Sequence, residues 1–353
     1  MRSSYDREEV ELLLKDITGL VEPLPAQVRE RNIQRGVHYC EMLPPEYKPS
    51  PEYMRAYQDA LNNYAGATAR AVGALAEKLY EKKGDSLTLV SLARAGIPIG
   101  ILLRRYLRNK YQINIKHYAV SIIRGRGIDR NAVDYILQRH AAGSVRFVDG
   151  WTGKGAILGQ LKAALEDYPQ LSAELGVVSD PANLTALCGT HEDILIPSSC
   201  LNAAVTGLIS RTFLRPDIIG GSDFHGAAYY AQLEPEDLSE QFLRRIEEEF
   251  DYGPPSRAET APAGPAGPET VREIARRYGV GDVNFIKPGI GETTRVLLRR
   301  VPWKILVNEA FARDRALAHI YQLADEKNVP CEISKVGLGN YKACGIIRQL
   351  SDV

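Results

Sequence analysis

Cysteine is scarce in this sequence, and the few residues present do not pair. Cys40, Cys188, Cys200, Cys331 and Cys344 are odd in number and scattered over 353 positions, with no CxxC spacing. That argues against a disulfide framework and a Cys-rich zinc site, and fits a reduced, cytoplasmic chain. Net charge is lacking as well: 44 Lys and Arg balance 44 Asp and Glu. With no global basic field, any nucleic-acid contact has to come from a local patch. Apolar runs are short. The N-terminus, MRSSYDREEVELLLKDI, is charged where a signal segment would be apolar. No stretch approaches the roughly 20 apolar residues that span a bilayer, so no membrane partner is expected. No internal repeat is visible.

What the sequence has is enough hydrophobic residue, 44%, for two or three packed domains. One stretch divides it. Residues 252–270, rich in Pro, Gly and Ala, read as a tether without a packed element. The expected organisation is a body over 1–251, including an N-terminal helical extension, the linker over 252–270, and a tail over 271–353.

In the body, strand-like runs alternate with helical patterns. Strands are expected at 86–93, 113–123 and 144–149, each followed by a helix, at 97–110, 131–140 and 156–168. That alternation predicts an α/β fold with a parallel sheet. Further strands are expected near 184–187 and 194–196, and helices at 200–210 and 236–249. Ligands of such sheets bind at the carboxyl ends of the strands.

Two strand-to-helix loops have the chemistry of anion cradles. VRFVDGWTGKGAI (145–157) offers three glycines, the Thr152 hydroxyl and the Lys154 ammonium ahead of a helix N-terminus. It is not a Walker A loop, because Val148 and Gly155 stand where the motif needs Gly and Ser/Thr. TLVSLARAGIPIG (88–100) places Arg94, Ala95 and Gly96 in the first turn, where a guanidinium can meet a phosphate bidentately. The bland alternatives are a tight turn with a surface lysine and a helix cap with a solvated arginine.

Together the loops resemble those of type I phosphoribosyltransferases. The resemblance implies pyrophosphate bound at Ala93–Gly96, with Arg94 in a catalytic role. It places Asp149 at the ribose, and Thr152, Gly153, Lys154 and Gly155 around the 5′-phosphate of phosphoribosyl pyrophosphate (PRPP). Mg²⁺ would be held through the substrate near Asp149. IIRGRGIDRN (122–131), with Arg124 and Arg126, would be the flexible lid. The loop departs from that family in having Gly150 where a second acid is usual. The expected reaction is PRPP-dependent transfer to an unknown base-like or RNA-linked acceptor, by a homo-oligomer.

A second constellation points elsewhere. Cys200 follows Pro-Ser-Ser at an expected helix start, where a thiol's pKa falls. CGTHEDI (188–194) supplies His191 and Asp193, and GGSDFHGAAYY (220–230) supplies Asp223 and His225. Cys with His and Asp is the material of a thiol hydrolase. A buried structural cysteine behind a serine N-cap is the plainer reading. DGWTGKG, PSSCLNAAVTGLISRT and GGSDFHGA together resemble a bacterial family found with tellurium-resistance and stress genes. That family is labelled both StiP-type cysteine protease and predicted phosphoribosyltransferase. The transferase is the favoured expectation, because two loops explain more residues than one cysteine. The thiol hydrolase, with Cys200 and either His191 or His225, is the alternative. A non-catalytic protein that binds a phosphorylated ligand and RNA is a further one.

The tail, with GIGETTR, VPCEISK and LGNYKACG, resembles the L7Ae/Pelota type of RNA-binding domain, a small α-β-α unit. The resemblance implies RNA contact through 271–353, at Gly289, Glu292, Thr293 and Arg295. Gly291 stands where many members have Asn.

Overall fold

A computed structural model of the protein describes residues 1–253 and 267–348. The first strands are short, β1 (Glu11–Leu12) and β2 (Lys15–Asp16), and helix α1 (Ala26–Gln34) follows. Helix α2 (Pro51–Lys83) is the longest. Ser50 caps it, accepting from the Tyr53 amide, and Pro51 pre-sets its first turn. Its buried face is built largely from alanine, including Ala56, Ala60, Ala65, Ala69, Ala71 and Ala76. Such small side chains let other backbone come close.

The alternating units follow: β3 (Thr88–Ala93), α3 (Ile97–Tyr111), β4 (Lys116–Ile123), β5 (Gly127–Ile128), α4 (Arg130–Leu137), β6 (Val145–Trp151) and α5 (Ala156–Ala164). Then come β7 (Leu175–Ser179), β8 (Cys188–Thr190), β9 (Gly226–Ala227) and α6 (Ser239–Glu247). The main sheet runs β1-β4-β3-β6-β7-β8, parallel along that path, with β5 antiparallel on β4. Nearly every residue of β3, β4 and β7 is buried, as a sheet covered on both faces requires. Helices α2, α3 and α6 cover one face, and α4 and α5 the other.

The tail forms α7 (Gly267–Tyr278), β10 (Ile286–Pro288), α8 (Ile290–Arg299), β11 (Pro302–Val307), α9 (Ala318–Glu326), β12 (Cys331–Ile333) and β13 (Ala343–Ile347). Its mixed sheet runs β10-β13-β11-β12. The tail is not tethered loosely. Ile290, Leu297, Leu298, Val307, Leu317 and Ile320 belong to the same apolar core as α2 and α3. The Tyr53 hydroxyl donates to the Leu298 carbonyl, and the Tyr64 hydroxyl donates to that of Ala316, 2.9 Å away. Among the described residues no helix is long and apolar enough to cross a membrane.

Several expectations change. The N-terminal extension begins with a strand that joins the sheet edge, ahead of its helices. Neither expected strand, at 184–187 or at 194–196, forms; the strand of this region is β8, between them. The expected helix over 200–210 is two short 3₁₀ turns, Pro197–Cys200 and Ala203–Val205. Gly207 and Leu208 both take positive φ there and break any continuation. In the tail, β11 ends at Val307, because Asn308 caps a 3₁₀ turn. Most of the linker expected over 252–270 lies outside the described residues, while α7 already starts at Gly267.

Candidate functional site

The loop after β6 lies at the carboxyl edge of the sheet, as expected, but protein groups occupy it. The Thr152 hydroxyl donates to the Asp180 carboxylate. The Lys154 ammonium donates to the carbonyls of Val283 (2.6 Å) and Ile286 (3.5 Å) in the tail. The Gly153 carbonyl accepts from the Tyr341 hydroxyl, 2.5 Å away. Gly155 has φ +81°, and Leu184 packs so close that an added Cβ would meet its Cδ1 at 2.6 Å. Asp149 accepts from the Gly150 amide at 2.8 Å, and desolvation pushes its carboxyl up to about 7.

The loop after β3 is also engaged. The Ala93–Arg94 peptide is cis, Ala95 is exposed, and Arg94 donates to the Ile209 carbonyl at 2.7 Å. Gly96 is required there, since a Cβ would lie 2.8 Å from the Leu92 carbonyl and 2.9 Å from that of Val148. The expected lid is a tight β4–β5 turn. Its Arg124 side chain donates to Asn284 of the tail, and Arg126 pairs with Glu41, both at 3.1 Å.

Cys200 does not meet the histidines expected beside it. Its thiol is fully buried, donates weakly to the Ala56 carbonyl at 3.8 Å, and is pushed up to about 12 by desolvation. The Cys200 carbonyl accepts from Arg299 at 2.8 Å. No α-helix begins there to depress the thiol's pKa. His225 Nδ1 lies 2.8 Å from the Ser121 hydroxyl. Asp223 pairs with Lys15 at 2.6 Å, and that hydrogen bond lowers its pKa.

His191 has a different cysteine. Its Nε2 lies 3.4 Å from Cys188 Sγ. On the opposite side of the ring, Nδ1 lies 3.1 Å from the Asp180 carbonyl and 3.5 Å from Asp180 Oδ2. One ligand-type atom from each of Asp180, Cys188 and His191 falls within 4.8 Å of the others. Local structure explains the grouping. Asp180 follows the end of β7, Cys188 opens β8 beside it, and His191 follows the end of β8. The intervening loop is fastened by Asp180 Oδ2, which accepts from the amides of Leu184 (2.7 Å) and Thr185 (2.9 Å). Cys188 and Asp180 are fully buried, and His191 is 7% exposed. A second pair, His38 Nδ1 and Cys40 Sγ, stands 3.0 Å apart in a 3₁₀ turn. Burial raises the Cys40 thiol and lowers the His38 imidazole there.

Sequence reasoning missed Asp180 and the two Cys–His pairs. The signal available was CGTH, a cysteine three residues before a histidine at a strand end.

The turn expected to touch RNA faces the body instead. Gly289, Ile290 and Thr293 are buried, and Glu292 and Arg295 are half-buried. Asp193 plugs the start of α8, accepting from the Ile290 amide at 2.9 Å, and it also accepts from the Lys342 amide at 2.9 Å. Desolvation pushes the Asp193 carboxyl up to about 7. A small cavity of about 10 Å³, room for about one water, remains at this seam, lined by Trp151, Ser179, Asp193, Ser199, Gly289 and Glu292 among others.

Residues 3–247 match the family model described as "Tellurite-like stress resistance cysteine protease StiP". Residues 265–349 match the "PELOTA RNA binding domain". A curated relative from Acinetobacter baylyi (strain ATCC 33305 / BD413 / ADP1), named "Cysteine protease StiP", is 33% identical over 366 residues. That alignment covers 98% of this chain and 94% of the relative. These matches overturn the expectation of PRPP-dependent transfer and favour the thiol hydrolase.

Proposed function

The chain belongs to the StiP family of tellurite-like stress resistance cysteine proteases, and from that premise we propose that it hydrolyses peptide bonds with Cys188 as nucleophile. His191 is the general base and Asp180 the group that orients it. The observation that carries this assignment is the contact of Cys188 Sγ with His191 Nε2 at 3.4 Å, with Asp180 on the far side of the same ring. A thiol needs an adjacent base, and the base needs a third group to fix its tautomer and direction.

The steps follow from the atoms. His191 Nε2 takes the Cys188 proton, and the thiolate adds to the scissile carbonyl. The tetrahedral adduct collapses by breaking the C–N bond, and His191 returns the proton to the departing amine. Water, deprotonated by His191, then attacks the thioester and frees Cys188 and a carboxylate product. Asp180 accepts from Nδ1, through its carbonyl at 3.1 Å with its carboxylate at 3.5 Å. Cys188 is buried at rest, so substrate entry requires the 181–187 loop to lift.

The test uses the full chain with labelled casein. Cys188→Ala and His191→Ala should each cost about a thousandfold in kcat, while Cys200→Ala stays within twofold of wild type. Full activity in Cys188→Ala would overturn the assignment. Loss in Cys40→Ala instead would transfer the role to the His38–Cys40 pair, the second reading its 3.0 Å contact favours.

The tail is part of the same reading. The Pelota match over 265–349 supports RNA as a partner.

A further inference from the structure

Where RNA would sit is a separate question, because the turn expected to bind it is packed against the body. An open cleft of about 420 Å³ lies beside that turn, lined by Arg124 and Lys154 from the body and by Arg272, Val283 and Asn284 from the tail, among others. Lys287 adds its charge close by. The Lys154 ammonium is lowered to about 8, mainly by desolvation, with Lys287 and Arg124 as neighbouring cations. Lys287 is itself lowered, first by desolvation and also by Arg124 among nearby cations. Asp282 and Glu292 are the acids that act on Lys154. Yet among the described residues none of Arg124, Lys154, Arg272 and Lys287 forms an ion pair, although twenty such pairs occur elsewhere. Their polar contacts are to carbonyl and amide oxygens, such as those of Val283 and Asn284.

Four cations gathered with two acids, Asp282 and Glu292, close by still repel one another, and that repulsion is relieved by an anion between them. The cleft's volume falls in the usual range for sites that take one small ligand or monomer unit. Its open sides let a chain continue past.

We propose that single-stranded RNA binds across this body–tail cleft, its phosphodiesters held by Arg124, Lys154, Arg272 and Lys287. The proposal rests on the RNA reading of the tail but moves the contact away from Gly289, Glu292, Thr293 and Arg295. It also makes the site composite, since neither body nor tail alone carries all four cations.

The experiment is fluorescence anisotropy with the full chain and a 5′-labelled single-stranded RNA of twelve nucleotides, over a salt series. Each phosphate contact on a single strand contributes about 0.7 to the salt slope. Lys154→Gln/Arg272→Gln should therefore weaken binding about tenfold at low salt and flatten the slope by about 1.4. Arg272 is exposed, and its side chain makes no hydrogen bond or ion pair among the described residues, so Arg272→Gln alone keeps the fold and should flatten the slope by about 0.7. Wild type binding with both variants unchanged would overturn the cleft while leaving the RNA reading in place. A wild type that binds at no salt concentration would overturn the RNA reading and the cleft with it.

Discussion

Replacing Asp193 tests how the two parts are joined. Its carboxylate accepts from the backbone amides of Ile290 and Lys342, both in the tail. In Asp193→Ala both donors stay buried and lose their partner, at about 1–3 kcal/mol each. The expected loss is roughly 2–6 kcal/mol, a large share of the ~5–15 kcal/mol that typical domains possess. Asp193→Asn separates charge from hydrogen bonding, because it keeps an acceptor oxygen but cannot ionise. In wild type the folded carboxyl sits near 7 against an ordinary 3.8. For an acid raised on folding, stability is fully present below the unfolded pKa and is lost as pH climbs through the folded one. The window is therefore about pH 4 to 7. Wild type should lose roughly 2–3 kcal/mol relative to Asp193→Asn between pH 5 and pH 8. Urea denaturation of both proteins at the two pH values measures it, and other titrating groups cancel in the difference. Parallel behaviour of the two proteins, or an Asp193→Ala loss under about 1 kcal/mol, would refute the reasoning.

Other outcomes follow from single contacts. Arg105 is buried among Glu9, Glu240 and Glu247, at 2.6 to 2.9 Å. Arg105→Ala should cost about 3–5 kcal/mol by stranding Glu9, read as a drop in the urea midpoint. At Gly189 an added Cβ would lie 2.0 Å from the Ala71 carbonyl of α2, so Gly189→Ala forces helix and strand apart and should lower the melting temperature by several degrees. Cys331 is exposed while the other four cysteines are buried. Brief treatment of the native Cys188→Ala variant with iodoacetamide should therefore add one label, at Cys331, by intact mass and peptide mapping.

The fold was legible where local pattern and burial agree. TLVSLA and VRFVD are continuous apolar runs closed by turn residues, and they became β3 and β6 in adjacent, parallel register. Pro98 in the first turn of α3 and Gly155 just before α5 punctuated the helices as expected. Residues 200–210 misled because their apolar spacing suits a helix, while Gly207 and Leu208 adopt a handedness a helix excludes. The site was less legible because its partners are chosen in three dimensions. Thr152 looks like a phosphate ligand in sequence, and only the fold shows its hydroxyl committed to Asp180. The same holds for the Glu-Thr-Thr turn, whose burial depends on Asp193 nearly a hundred residues away in the chain.

The core shared by α2 and the tail has a consequence for synthesis. The partners of Tyr53, Tyr64 and the apolar face around them include Leu298, Ala316, Leu317 and Ile320. The ribosome makes these after the body. At ~5–20 residues per second, the stretch from α7 to the end takes roughly ten seconds. Throughout that interval the finished body carries an uncovered apolar flank. Truncations that remove the tail should accumulate as aggregates rather than as a soluble peptidase.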